Sequence, residues 1–402
     1  MNTHLLDCKK DFPIFNNQDI TYLDTASTSQ KPQSVINAIS DFYQNYNSNV
    51  HRGLYPWAEK ATFEYESCRN KISDYINAKS HELIFTKGTT ESINFISAIW
   101  GQSHVKSNNN IVITEMEHHS NIVPWQILSQ KTGAELRYIP ISDSGELNLD
   151  DISNIIDENT KIVSIIHQSN VFGTINPIDL IIKEAHQKGA RVLIDAAQSI
   201  AHQEINTKSI GCDFLVFSGH KMLGPTGIGG LYIKEDILNN LEPYQTGGQM
   251  INQVNDNDST WNDIPFRFEA GTPNIAGVIG LSAALDYLQK TDITKIKSHN
   301  KFITDYCLEE LKKVNGLKVY GHFNNSGPVI SFNIREIHSY DLAQLLAQQN
   351  IYIRSGHHCA QPIMRKLNIE SSNRASLYIY NDLKDVDNFI QGIKKSIKML
   401  AG

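Results

Sequence analysis

The sequence has 402 residues and a mild net charge of −7, from 36 Lys and Arg against 43 Asp and Glu. This balance argues against nucleic acid or an anionic membrane as a partner, and no apolar run is long enough to span a bilayer. The five cysteines are scattered without a CxxC pair, and the N-terminus lacks a basic region followed by an apolar one. These features favour a reduced, cytoplasmic protein.

The length predicts two domains. We expect a large domain over residues 20–290 and a smaller α+β domain over residues 291–402. Residues 1–19 are expected to pack on the smaller domain. The division is placed where a regular alternation of strands and helices ends.

The first predicted elements are a short strand at residues 21–24 and a polar turn at residues 25–30. A helix follows from Pro32, because proline is tolerated in a first helical turn. A loop then carries His51 and Arg52. Two solvated side chains are the commoner interpretation of that loop, and a ligand contact is the alternative.

Apolar strands then alternate with helices over about 130 residues. The predicted strands are residues 82–85, 111–114, 135–141, 162–166, 192–195 and 214–217. Such alternation predicts an α/β fold, a mostly parallel sheet covered by helices. Ligands in this architecture bind beyond the carboxyl ends of the strands.

Polar residues follow those strands at their carboxyl ends, so we expect their side chains to lie close together in one site. They are Thr89 and Thr90, His119, Asn170, Asp195 and Gln198, and Ser218, His220 and Lys221. Thr89 and Thr90 open a helix after a strand, which is typical of an anion site, although ordinary helix capping is about as common.

Lys221 follows a buried strand and precedes four glycines between residues 224 and 230. Burial disfavours a charged lysine, and the chemistry that uses a neutral one is attack on a carbonyl to give a Schiff base. A solvated strand cap is the ordinary alternative. The glycines do not form a P-loop, because the lysine precedes them and no Gly-Lys-Ser/Thr ending is present.

Asp195 ends an apolar strand and therefore needs a cation. A protonated pyridine nitrogen is one such cation, and a structural salt bridge is the alternative. The His118–His119 pair is discounted as a metal site, because adjacent residues of an extended chain point in opposite directions. We predict instead that one histidine stacks on a cofactor ring and transfers protons.

Cys359 lies in the segment Arg354-Ser-Gly-His-His-Cys-Ala360. The cations around it favour the thiolate, so a nucleophile is at least as plausible as a buried core cysteine. Arg374 begins a strand and can fork onto a substrate carboxylate, with a surface salt bridge as the alternative.

Four motifs together identify a family: Ser-Gly-His-Lys (218–221), Asp-Ala-Ala-Gln (195–198), Met-Glu-His-His-Ser-Asn-Ile-Val-Pro-Trp (116–125) and Phe-Glu-Ala-Gly-Thr-Pro-Asn (268–274). They resemble the class V, fold-type I pyridoxal-phosphate enzymes. The Cys359 segment narrows the resemblance to the SufS-like, group II cysteine desulfurases. The resemblance runs from about Asp11 to the C-terminus.

The resemblance implies a set of roles around pyridoxal 5′-phosphate. Lys221 would hold the cofactor as a Schiff base, Asp195 would pair with its ring nitrogen, Gln198 would bond its phenolic oxygen, and His119 would stack on its ring. The phosphate ligands would be Thr89, Thr90, Ser218 and His220, with Thr272 from the other subunit of a homodimer. The substrate carboxylate would bind Asn170 and Arg374, with His51 and Arg354 nearby.

The implied reaction converts L-cysteine to L-alanine. Lys221 moves the Cα proton, the Cys359 thiolate takes the sulfur as a persulfide, and His119 donates a proton to the departing carbon skeleton. The sulfur would pass to an acceptor protein of the SufE or SufU type for iron–sulfur cluster assembly.

Three other interpretations stay open. A selenocysteine lyase would use nearly the same residues. An aminotransferase or kynureninase-like enzyme would keep Lys221 and Asp195 without needing Cys359. A pyridoxal-binding or sulfur-carrier scaffold without turnover is disfavoured, because the complete catalytic set is present.

Overall fold

The protein is described by a computed structural model that covers residues 5–16, 18–321 and 325–401. Residues 1–4, 17, 322–324 and 402 belong to the predicted N-terminal segment and small domain and lie outside the described residues. None of the described helices combines the length and the apolar character that crossing a bilayer requires.

The strands are short. In chain order they are β1 (Thr21–Tyr22), β2 (Leu83–Thr86), β3 (Asn110–Thr114), β4 (Glu135–Ile139), β5 (Thr160–Ile166), β6 (Arg191–Asp195), β7 (Phe214–Ser218), β8 (Gly229–Ile233), β9 (Ile251–Val254), β10 (Ser259–Trp261), β11 (Leu317–Tyr320), β12 (Val329–Ile334), β13 (Ile351–Tyr352), β14 (Arg354–Gly356) and β15 (Ser372–Ser376).

The helices vary more in length. They are α1 (Gln33–Asn45), α2 (Pro56–Tyr75), α3 (Thr89–Ile96), α4 (Gln102–His104), α5 (Val123–Thr132), α6 (Ile152–Ile155), α7 (Ile178–Gln187), α8 (Thr207–Ile210), α9 (Glu235–Leu238), α10 (Ile275–Thr291), α11 (Ile293–Leu311), α12 (Ser339–Ala347), α13 (Gln361–Lys366) and α14 (Leu383–Ala401).

The large sheet has the strand order β2-β8-β7-β6-β5-β3-β4. Its strands β7, β6, β5, β3 and β4 pair in parallel. Strands β3 and β7 are buried at every position, as expected when helices cover both faces. The predicted α/β fold with a mostly parallel sheet is therefore confirmed.

Strand β8 was not predicted, and it runs antiparallel to both β2 and β7. Two glycines hide it from a pattern search, because glycine is depleted in strands. The structure explains their presence: a Cβ on Gly229 would lie 2.4 Å from the Phe217 carbonyl oxygen and 2.6 Å from the Gly88 Cα. The glycines bring β8 close to the turn after β2.

The small sheet is antiparallel, with the order β11-β12-β15-β14. Its apolar face packs in a separate core cluster that includes Phe332 of β12, Leu342 of α12 and Phe389 of α14. Strands β13 and β14 are separated at Ile353. As a result β13 pairs with β1, whereas β14 pairs with β15.

The N-terminal segment contacts both halves of the chain. Lys9 Nζ lies 2.7 Å from Asp385 Oδ1, and the Phe12 ring packs edge-on against Tyr287 and Tyr380. The predicted domain boundaries, 20–290 and 291–402 with residues 1–19 on the smaller part, stay a prediction.

Candidate active site

A cavity opens at the carboxyl ends of β5, β6 and β7. Its lining includes ten of the predicted residues, and five of them lie at or after the ends of β6 and β7: Asp195, Gln198, Ser218, His220 and Lys221. Asp195 is the last residue of β6, and Ser218 is the last of β7. The parallel strands therefore bring these side chains together, as the sequence predicted.

Lys221 and Asp195 set the electrostatics of the cavity. Burial lowers the pKa of Lys221 to about 8, and the charges of Arg374 and Arg354 act in the same direction, while Asp195 opposes them. Burial raises the pKa of Asp195, whose Oδ1 accepts from the Ala197 N–H at 2.9 Å, and the charge of Lys221 opposes that rise. A lysine with a depressed pKa has a larger neutral fraction, which is the nucleophilic form.

A group of donors lies at the start of α3. Thr89 and Thr90 both line the cavity. The Thr89 N–H donates to Ser218 Oγ at 2.9 Å, and Ser218 Oγ lies 3.0 Å from Thr89 Oγ1. Burial lowers the pKa of His220 to about 4, so its ring is neutral near pH 7. Hydroxyls at a helix N-terminus fit an anion such as a phosphate.

The two adjacent histidines lie differently from the prediction. His118, not His119, lines the cavity. His119 faces the Cys359 segment, where its Nε2 accepts from the Gln361 N–H at 3.2 Å and its ring lies 5.6 Å from that of His357. The prediction that His119 faces the cofactor site is therefore not supported by this placement.

The local backbone explains this exchange. His118 is an extended residue that caps a short 3-10 turn, and its side chain accepts from the Ser120 N–H at 3.1 Å. Because Nδ1 is an acceptor, the neutral ring carries its proton on Nε2. Burial, followed by the charge of Lys221, lowers the pKa of His118 to about 3.

Two arginines and an asparagine form the opposite wall. Arg374 is buried, with Nη1 donating to the Asn170 carbonyl at 3.0 Å and Nη2 to Asp24 Oδ1 at 3.0 Å. Its Nε and the Asn170 Oδ1 are buried and have no hydrogen-bond partner among the residues that the structure describes. Buried polar atoms in proteins are rarely left unpaired, so this wall has binding capacity for a ligand.

Ser27 connects the two arginines. Its Oγ accepts from Arg354 Nη1 at 2.8 Å and from Arg374 Nη2 at 2.8 Å, and donates to Asp24 Oδ1 at 2.7 Å. Neither Ser27 nor Asp24 was predicted as a site residue. Both lie in or beside the polar turn at residues 25–30, and that turn after a strand was the available signal.

Cys359 lies beside the cavity and differs from the other cysteines. Cys8, Cys68, Cys212 and Cys307 are buried, whereas Cys359 is partly exposed. Its Sγ lies 3.9 Å from Arg354 Nη2.

The Cys359 turn is held from two sides. His358 and Cys359 both have positive φ, at 52° and 56°, a conformation that costs non-glycine residues free energy. The Asn170 amide donates to the His358 carbonyl at 2.8 Å, and the His119 N–H donates to the Cys359 carbonyl at 2.8 Å. These bonds fix the cysteine next to the arginine wall.

Besides His119 and Cys359, two predicted residues lie outside the cavity of their own chain. His51 bonds Glu66 Oε1 at 2.9 Å and accepts from Gln249 Nε2 at 3.0 Å. Thr272 is exposed, and its Oγ1 lies 3.5 Å from Asn49 Nδ2. The structure therefore does not bring His51 to the predicted substrate site within one chain. Thr272 was expected from a second subunit.

Glu117 is a further residue that was not predicted as a site residue. It is fully buried and accepts from Thr114 Oγ1, Asn121 Nδ2 and the Ile166 N–H at 2.7–2.9 Å. Burial nevertheless raises its pKa to about 8. Within the described part of the chain, no group of three or more His, Cys, Asp or Glu side chains could hold a metal ion.

Comparison with known proteins defines the class. The profile of the aminotransferase class-V family matches residues 21–389, so the chain belongs to that family. A probable cysteine desulfurase of Halalkalibacterium halodurans is 46% identical over 98% of each chain, and a cysteine desulfurase of Escherichia coli is 44% identical over 98% of each. The apo structure of a cysteine desulfurase from Thermococcus onnurineus superposes with a TM-score of 0.94, at 39% identity over 98% of each chain.

The cavity fits pyridoxal 5′-phosphate, the cofactor of this family. A lysine with a depressed pKa suits its aldehyde, a buried carboxylate suits its ring nitrogen, and hydroxyls at a helix N-terminus suit its phosphate. A protonated ring nitrogen would also give Asp195 a second cation, which offsets the cost of its burial.

Proposed function

We propose that this protein is a pyridoxal-phosphate-dependent cysteine desulfurase that converts L-cysteine to L-alanine and leaves the sulfur on Cys359 as a persulfide. One observation carries the proposal. Arg354 bonds through Ser27 to the buried Arg374 of the cavity wall, and its other nitrogen lies 3.9 Å from the thiol of Cys359. A class-V enzyme that only transfers amino groups has no use for such a cysteine.

We assign the cofactor contacts as follows. Pyridoxal phosphate, when bound through Lys221, supplies an electron sink for the carbon skeleton of the substrate. Asp195 pairs with its ring nitrogen and Gln198 with its phenolic oxygen. The phosphate contacts are Thr89, Thr90, Ser218 and His220. His118 takes the stacking role that the sequence assigned to His119.

Arg374 and Asn170 bind the substrate carboxylate. The unpaired Arg374 Nε and the fixed guanidinium plane suit a carboxylate. Arg354 stands between that carboxylate and Cys359. The substrate is thereby oriented with its side chain towards the thiol, which is the geometry that sulfur transfer requires.

The protein side chains then carry out proton and sulfur transfer. Lys221, released as a neutral amine, takes the proton from the substrate Cα and returns it later. The Cys359 thiolate attacks the substrate sulfur: an S–S bond forms, the substrate C–S bond breaks, and its electron pair stays with the carbon. His118 takes the proton of the substrate thiol and delivers it to this carbon in place of sulfur, so the products are alanine and a protein persulfide.

We further propose a homodimer. Leu54, Trp57 and Phe63 are 95%, 57% and 68% exposed around the start of α2, and exposed apolar groups of this size are typical of protein interfaces. Thr272 would reach the phosphate of the partner's cofactor. His51 lies on the same surface, two residues from the Asn49 that contacts Thr272.

The persulfide sulfur passes to an acceptor protein of the SufE or SufU type and supplies iron–sulfur cluster assembly. The partial exposure of Cys359 supports transfer to another protein. The cytoplasmic location stays a prediction.

The function is tested by measuring alanine and sulfide from L-cysteine with a thiol reductant. We expect the wild type to release alanine and sulfide in equal amounts. Cys8→Ala, whose cysteine lies outside the cavity, should match the wild type, and Cys359→Ala should release neither product. Undiminished products from Cys359→Ala would contradict the proposal and indicate a lyase that needs no protein nucleophile, such as a selenocysteine lyase acting on cysteine.

A further inference from the structure

The turn that carries Lys221 is irregular. Gly219–Lys221 forms one 3-10 turn, and Leu223 follows with φ of 67°. A left-handed conformation costs a non-glycine residue free energy. Neither a long helix nor a strand ladder holds this segment, so other contacts must fix it.

Four donors converge on the carbonyl oxygen of His220, the residue before Lys221. They are the Ser29 N–H at 3.0 Å, Ser29 Oγ at 3.0 Å, Thr28 Oγ1 at 3.2 Å and Lys31 Nζ at 3.0 Å. A carbonyl oxygen has two lone pairs, so these donors share it. All come from the segment between β1 and α1, far from Lys221 in the sequence.

Ser29 bonds on both sides of Lys221. While its Oγ donates to the His220 carbonyl, it accepts from the Leu223 N–H at 2.9 Å. Ser29 is fully buried. One hydroxyl thus joins the residue before Lys221 to the second residue after it.

Lys31 is a largely buried cation that has no anionic partner among the described residues. Burial lowers the pKa of Lys31 to about 8, and within the described part of the chain its Nζ donates only to the carbonyls of His220 and Ser29. Across the described ranges, no carboxylate lies within ion-pairing distance of it. A neutral side chain would fill this space at lower cost, so stability alone does not account for a lysine here.

We propose that Ser29 and Lys31 are positioning residues that fix the backbone on both sides of Lys221, so that its amine reaches the cofactor and the substrate Cα in turn. The inference rests on the proposed function, because it concerns the reach of Lys221. Reaction rates depend steeply on such placement: a shift of about 1 Å can cost roughly 100-fold.

The test uses the pyridoxal-phosphate-loaded enzyme and the variants Ser29→Ala and Lys31→Met. Matched controls are Ser34→Ala and Lys290→Met, which change exposed residues. We expect each test variant to lower kcat for L-cysteine by about 10-fold while KM stays nearly constant, because the carboxylate site is untouched. The absorbance of the cofactor bound to Lys221 changes with pH, and the pH at which half of this change has occurred should also differ from that of the wild type. Both control variants should match the wild type in kcat and in this pH midpoint.

A purely structural role makes a different prediction. It would lower the temperature of unfolding without moving the absorbance midpoint or kcat, and that result would overturn the proposal. Should Lys31→Met fail to fold, Ser29→Ala decides alone, since it removes a single hydroxyl. A wild type that loads the cofactor but makes no alanine would overturn the proposed function, while the absorbance midpoints would still test the positioning role.

Discussion

Two buried arginines in this chain have opposite surroundings. Arg69 lies under the edge of the large sheet, where Glu269 accepts from Nη1 and Nη2 at 2.7 and 2.8 Å, Glu66 accepts from Nε at 2.9 Å, and the Leu83 carbonyl accepts from Nη1. Arg374 lies at the cavity with a partly exposed carboxylate, Asp24, and an Nε that is unpaired among the described residues.

Their pKa shifts reflect this difference. The carboxylates around Arg69 overcome burial and raise its pKa well above the usual value. Burial and the neighbouring Arg354 lower the pKa of Arg374. Removing a fully paired buried cation leaves its carboxylates uncompensated and destabilises the fold, whereas an incompletely paired cation at a cavity has capacity left for a substrate.

The largest effect on stability is expected at Arg69. Arg69→Met leaves Glu269 buried without its partner and should lower the free energy of unfolding by about 3–5 kcal/mol. Denaturant unfolding measures this, with Arg335→Met as the control because Arg335 is 83% exposed and should change stability by under about 0.5 kcal/mol. If Arg69→Met lowers the free energy of unfolding no more than Arg335→Met does, Arg69 does not have the structural role assigned to it here.

A second contrast separates His118, which lines the cavity, from His119, which faces away from it. His118→Ala should lower kcat at least about 100-fold, the usual contribution of general acid–base catalysis. His119→Ala is the matched control and should retain most of the activity. The opposite ranking in steady-state assays would restore His119 to the catalytic role.

Arg374 should affect substrate use more than stability. Arg374→Met removes charge-assisted bonds to the carboxylate and should lower kcat/KM for L-cysteine by roughly 10- to 100-fold. Its effect on the free energy of unfolding should be smaller than that of Arg69→Met, because water can reach Asp24. Equal destabilisation by both substitutions would mean that the two arginines serve the same structural purpose.

The smallest expected effect is a shift in the pH at which Lys221 captures the cofactor at half its maximal rate. Only the neutral Lys221 amine captures pyridoxal phosphate, so the capture rate of cofactor-free protein should rise with pH and reach half its maximum near the pKa of about 8. Arg374→Met removes a cation that lowers this pKa and should move the midpoint upward. Stopped-flow absorbance follows capture, and a downward shift in Arg374→Met would contradict the electrostatic account.

The sequence predicted the large sheet because its strands are apolar runs that end in polar residues. It also predicted which strand ends meet, since parallel strands place their carboxyl ends at one edge. It did not predict β8, because Gly229 and Gly230 are present for close backbone approach and carry no strand signal.

Strand ends of the site could be predicted from the sheet pattern, whereas the side-chain directions and contacts of several turns could not. Asp195 and Ser218 end strands, so their direction follows from the sheet. The choice between His118 and His119 depends on the backbone of an irregular turn. The contacts of Asp24 and Ser27 depend on tertiary packing against residues more than 300 positions later.

The most direct test of the account is to locate the sulfur after one turnover. The loaded enzyme is mixed with one equivalent of L-cysteine without reductant, alanine is quantified, and the peptides are examined by mass spectrometry. We predict one alanine per subunit and one added sulfur atom on the peptide that contains Cys359. Alanine formed with the added sulfur on another cysteine, or on none, would contradict the assignment of Cys359 as the sulfur acceptor.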